Sequence, residues 1–111
     1  MSDKTWKARE RQAARYFGCP DRNPLSGRNS KHTASDTLHH CLFIEHKHRK
    51  RHAIVRLWYR VKALALKENK IAVVTLSEHG KPGLWVMCHS SDLNAVATQR
   101  WLAKRKEEGI E

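Results

Sequence analysis

The chain has 111 residues and a formal net charge of +11, from 22 Lys/Arg against 11 Asp/Glu. That length suits one domain with a modest core. No run is long or apolar enough to span a membrane and no signal peptide is expected, while three widely spaced cysteines, Cys19, Cys41 and Cys88, suit reduced thiols in a cytoplasmic protein better than a disulfide frame. The charge is segregated: residues 1–70 carry 17 Lys/Arg and 6 Asp/Glu, whereas residues 71–111 carry 5 of each. A polyanionic partner is therefore expected, nucleic acid being the commonest.

Residues 3–17 read as a helix that Ser2 or Asp3 caps and Gly18 ends. Trp6, Ala13, Ala14 and Phe17 share one face at helical spacing, and Glu10 falls in the middle of that stripe. A carboxylate on an apolar face needs a partner, and pairing with an arginine is the plain choice. Residues 19–34 hold almost no large apolar side chain and are rich in turn formers, so they read as a long loop or frayed hairpin. Arg22, Arg28 and Lys31 equip that loop to close over a phosphate backbone.

Next comes the stretch that carries the chemistry. Leu42, Phe43 and Ile44 form an apolar run before Glu45, as expected of a buried strand, and strand alternation puts Phe43, Glu45 and Lys47 on one face. In one straight strand Asp36 and Glu45 would lie roughly 30 Å apart at about 3.3 Å per residue. A turn near His39 and His40 instead makes a hairpin that returns Asp36 beside Glu45. Two carboxylates and an ammonium then share one end of a sheet, a site for a divalent cation. The plain alternative is a strand that leaves the core with Glu45 and Lys47 at its wet end.

The basic run His48-Arg49-Lys50-Arg51-His52 follows. At a helix start such cations oppose the macrodipole, so an anionic partner explains them better than a solvated helix end. Residues 53–69 are the strongest helix, with Ile54, Leu57, Trp58, Val61 and Leu64 inward, Arg56, Arg60, Lys62 and Lys67 outward, and Asn69 as its end. Residues 71–76 read as a short central strand, 77–83 as a turn, 84–88 as another strand, and 92–107 as a helix capped by Ser90 or Ser91 with Leu93, Val96, Ala97 and Trp101 on one side.

The pattern Asp36-x8-Glu45-x-Lys47, with Ser35 in place of the first proline, resembles the PD-(D/E)xK nuclease motif. In length and order of elements, over about residues 5–90, the chain is similar to the small archaeal-type Holliday junction resolvases. The resemblance implies one nuclease domain over residues 1–111: an α/β fold with a restriction-endonuclease-like αβββαβ core, a mixed sheet flanked by helices, and an extra C-terminal helix. It implies a catalytic set of Glu10, Asp36, Glu45 and Lys47. A Mg²⁺ ion, with Mn²⁺ as a substitute, is then expected on Glu10, Asp36, Glu45 and the backbone carbonyl of His46. Such an ion stabilises charge on the phosphoryl oxygen and leaving group and lowers the pKa of bound water. Lys47 is placed to orient that water or neutralise the phosphate. Arg9, Arg11, Arg22, Arg28, Lys31, Arg49, Lys50 and Arg51 are the expected phosphate contacts. The implied activity is paired cutting of branched DNA, a four-way junction, by a cytoplasmic homodimer, with no small-molecule cofactor beyond the metal and no membrane partner.

A related nuclease acting on duplex or branched DNA in repair, restriction or phage genome processing is the alternative. Zinc ranks low because the histidines and cysteines lack paired ligand spacing. An HNH-type nuclease ranks low because no downstream histidine or asparagine follows His39 and His40 on the next helix. A non-catalytic binder of single strands would stack bases on aromatics. Most tryptophans fall on expected core faces, leaving Tyr59 as the aromatic expected outside.

Overall fold

A computed structural model describes residues 3–19, 39 and 41–109. The chain divides into two compact units, Met1–Lys50 and Arg51–Glu111, each taken by itself below. The described residues combine three helices with one two-stranded antiparallel sheet, a mixed helix-and-sheet architecture.

In the first unit, α1 spans Asp3–Tyr16. It ends as the sequence predicts. Gly18 takes φ +82°, its N–H donates to the Arg15 carbonyl at 3.0 Å, and Cys19 N–H donates to the Ala14 carbonyl at 2.9 Å. These two bonds form a Schellman motif, and the left-handed residue it needs is one glycine supplies without strain. Cys19 and Ala14 are both buried, the apolar contact that accompanies such an end. The buried line of α1 is not the expected one, however. Trp6 and Phe17 at its two ends are exposed, and burial centres on Glu10 and Ala14, one turn apart.

Residues 42–49 carry no strand, which corrects the expectation of a sheet strand there. The two-residue alternation is nevertheless present: Phe43, Glu45 and Lys47 are exposed, while Ile44, His46 and His48 are half-buried. The shared face is the wet one, with Phe43 68% exposed. The turn expected near His39 and His40 lies in part outside the described residues. His39 Nδ1 accepts the N–H groups of Cys41 at 3.1 Å and Leu42 at 3.0 Å, and the chain bends at Cys41. A side chain that satisfies two successive amides diverts the backbone from a strand ladder. Ser2, Arg22, Arg28, Lys31, Ser35, Asp36 and His40 lie outside the described residues, as do the loop expected over 20–34 and the first arm of the hairpin.

In the second unit, α2 spans Ala53–Lys67, β1 Val74–Leu76, β2 Trp85–Met87 and α3 Leu93–Glu107. Apolar residues at helical spacing set α2 against the sheet. Trp58, Ala72 and Val74 form the core, with Ile54, Leu57, Val61, Ala65 and Met87 packed around them. Trp58 also satisfies its polar atom, Nε1 donating to the Ala72 carbonyl at 3.3 Å. The helix stops at Asn69, whose φ of +55° places it in the left-handed region. Asn69 N–H then donates to the Leu66 carbonyl at 3.2 Å, and Lys70 N–H to that of Ala65 at 3.0 Å. The strands pair in register, Val74 with Met87, Thr75 with Val86 and Leu76 with Trp85. Neither is central, because the described sheet has only these two strands. The loop between them turns at Gly80, where Lys81 N–H donates to the Glu78 carbonyl at 3.1 Å and φ is +79°.

The last helix departs from expectation at its start and along its length. His89, not Ser90 or Ser91, caps the 3-10 turn Ser90–Asp92 that leads into it, its Nδ1 accepting from Ser91 N–H at 3.1 Å. α3 itself buries no residue. Of the four tryptophans only Trp58 is buried; Trp6, Trp85 and Trp101 are exposed. The apolar positions of the C-terminal third therefore face outward rather than closing a core.

Candidate functional site

The chemistry expected of the first unit begins at Glu10. Its side chain is 0% exposed, the largest fully buried side chain among the described residues. Helical spacing puts it one turn before Ala14, on the side of α1 that packs inward. The Arg9 guanidinium goes to Gln12 Oε1 at 2.9 Å, and Arg11 and Arg15 form no ion pair among the described residues. A buried carboxylate costs several kcal/mol, on the order of the usual ionic desolvation penalty, unless its surroundings compensate. Glu10 is thus a fully buried carboxylate inside a strongly basic unit.

Glu45 and Lys47 are brought together. Lys47 Nζ lies 2.8 Å from Glu45 Oε1, as side chains two apart on extended backbone allow. The pair is exposed, at 45% for Glu45 and 61% for Lys47. At that exposure an ion pair stabilises the fold by only about 0–1 kcal/mol. Its position therefore leaves both groups accessible to a ligand. His46 between them is half-buried.

The donor set can be matched to a hard cation. Glu10 and Glu45 offer the carboxylate oxygens Mg²⁺ prefers, and the Glu45 carboxylate already draws a cationic group, Lys47 Nζ. Among the described residues no three His, Cys, Asp or Glu gather into a metal-holding group. Of the expected carboxylates only Glu10 and Glu45 are among them, and Asp36 lies outside.

The expected phosphate contacts among the described residues are largely open to solvent. Arg9, Arg49, Lys50 and Arg51 are exposed and Arg11 half-buried. Arg11, Arg49, Lys50 and Arg51 form no ion pair among the described residues. The run ends at the start of α2, where His52 makes no side-chain cap bond and no acid occupies the first turn. Cations there oppose the helix dipole with nothing local to offset them. The second unit carries further cations beyond Arg51, the last expected phosphate contact. Arg56, Arg60 and Lys67 are exposed on α2 beside Tyr59. The signal for these was in the sequence, in cations held at outward helical positions.

Comparison with models of known families, with curated proteins and with solved structures returns no match.

Proposed function

We propose that this chain is a Mg²⁺-dependent, structure-selective DNA endonuclease that cuts four-way junctions as a homodimer in the cytoplasm. The observation that carries the reading is Glu10: a fully buried carboxylate at the place the nuclease resemblance asks for one, in the part of the chain that holds the excess of cations. A protein that only held polyanions would gain nothing from burying an acid there. Glu10, Asp36 and Glu45 supply the oxygen donors, with the His46 carbonyl beside them. When bound, the metal supplies charge stabilisation and an acidic water. Lys47, already at Glu45, orients water or neutralises phosphate. The cations of α1 and of residues 49–51 hold the DNA backbone.

Under this reading the β1–β2 pair is part of a larger mixed sheet of restriction-endonuclease-like type. Two strands alone are marginal in water, and this pair exposes Leu76, Trp85 and Val86. The cytoplasmic location accords with the three free thiols; among the described residues no helix is long and apolar enough to cross a membrane.

The test is a gel assay of labelled four-way junction against linear duplex of the same sequence, with Mg²⁺ and with EDTA. Paired, Mg²⁺-dependent cuts in the junction are expected. Cleavage of linear duplex at the same rate would favour the related-nuclease alternative, and no cleavage of either would remove the enzyme reading.

A further inference from the structure

Arg56, Tyr59, Arg60, Ala63 and Lys67 recur three, four, seven and eleven residues on, which puts them on one face of α2. All five are exposed. The helix contains no acid, and Arg56, Arg60 and Lys67 form no ion pair among the described residues. In their midst stands a large aromatic ring, Tyr59, 62% exposed.

That ring is braced from below. It meets buried Trp58 edge to face, with centroids 5.0 Å apart and planes at 78°. Trp58 is fixed in turn by its bond to the Ala72 carbonyl at 3.3 Å and by the His89 ring at 5.5 Å. One turn beyond, Ala63 has no bulk to cover the ring. The face is therefore an ordered aromatic platform with three cations along the same helix face, so little side-chain freedom is lost when a ligand settles on it.

We propose that this face of α2 binds single-stranded nucleic acid, an unpaired base stacking on Tyr59 while Arg56, Arg60 and Lys67 hold the adjoining phosphates. Charge complementarity selects a polyanion. The ring selects the strand state, because a base in a duplex has no free face to offer, whereas an unpaired base stacks without regard to sequence. The surface lies wholly within Arg51–Glu111, apart from Glu10, Asp36, Glu45 and Lys47, so it stands whether or not those residues cleave DNA.

Equilibrium binding of the full chain in EDTA tests this, by fluorescence anisotropy with a labelled oligothymidylate and with a duplex of equal length. Tyr59→Ala is expected to weaken single-strand binding about 5- to 150-fold, the range for loss of one stacked base. Duplex binding should change less than about twofold, and Tyr59→Trp should retain single-strand affinity. Thermal unfolding of Tyr59→Ala guards against a lost brace on Trp58, and Tyr59→Leu, which keeps apolar bulk without an aromatic face, gives a second measure. Equal losses for single strand and duplex, or unchanged single-strand affinity in both variants, would overturn the proposal. So would a change in oligomeric state in Tyr59→Ala, which would make this face a protein contact. Junction cleavage, measured separately, fails or succeeds independently of these results.

Discussion

Glu10 separates a structural acid from a working one. If it only completes a buried ion pair, neutralising it breaks that pair and costs about 3–5 kcal/mol. If it is held buried for a cation and a phosphate, Glu10→Gln keeps the shape, removes a buried charge, and leaves thermal stability equal or higher. We expect the second outcome: cleavage falls about 100-fold or more, the scale of losing a group that stabilises transition-state charge, while junction affinity holds or rises as repulsion of phosphate falls. A calorimetric melt and a binding titration on the same variant check both halves. Asp36→Asn, Glu45→Gln and Lys47→Ala should likewise stop turnover without loss of binding, and wild-type cutting rates in Asp36→Asn and Glu45→Gln would remove these carboxylates from the site. The place of Glu10 was legible because helical spacing alone sets which residues share a face. The role of His39 was not. Ser, Thr, Asn and Asp advertise backbone capping by type, whereas a histidine that accepts two amides, as His39 does at 3.1 and 3.0 Å, looks in sequence like a ligand or a base.

Elements were legible to the degree that their cause is local. α1 and α2 begin and end within two residues of their expected bounds, because apolar period and stop residues are both written in consecutive positions. Asn69 gives a direct test of that logic. Its left-handed φ of +55° suits glycine best and a side chain with a Cβ poorly. Asn69→Gly should therefore raise unfolding stability by about 0.5–1 kcal/mol, and Asn69→Ala should lower it by roughly 1 kcal/mol; urea melts of both resolve the sign. The core beneath makes a stronger test: Trp58→Ala should cost about 3–5 kcal/mol, from lost packing and an abandoned Ala72 carbonyl, and Trp58→Phe distinctly less. Residues 42–47 show where local reading stops. Three apolar residues in a row signal burial, but whether they find a partner strand depends on chain far away in sequence, and the period survives here without the ladder. The outward tryptophans of β2 and α3 have the same origin: a helical or extended stripe says which residues share a face and not what lies opposite it.

At the scale of the whole molecule, charge and apolar surface divide the labour. The excess of cations lies in residues 1–70, so binding to DNA should weaken steeply with salt, with a log–log slope of about −0.9 per phosphate neutralised; an almost flat salt dependence would disqualify the basic surface. The neutral remainder bears on assembly. Paired cuts in strands of like polarity across a two-fold junction need two active sites related by two-fold symmetry, hence two chains. Leu84, Trp85, Val86, Trp101 and Leu102 are all exposed, more apolar surface in one segment than single scattered side chains account for. α3 adds a physical demand. A helix of 15 residues that buries none of them is marginal in water without a partner for its apolar side. Trp101 and Leu102, adjacent in sequence, point to different sides of it, and the Arg105 guanidinium lies 4.7 Å from the Trp101 ring. Aromatic and aliphatic surface without net charge suits a lasting protein contact. The expected state is a dimer at micromolar concentration by light scattering, shifted toward monomer by Leu102→Asp and, more weakly, by Trp101→Ala. Both variants should still bind junction DNA, since the cations are untouched, but should nick one strand at a time instead of cutting in pairs. A wild-type chain that remains monomeric with and without junction DNA would remove the dimer and, with it, the case for resolution over single-strand cutting.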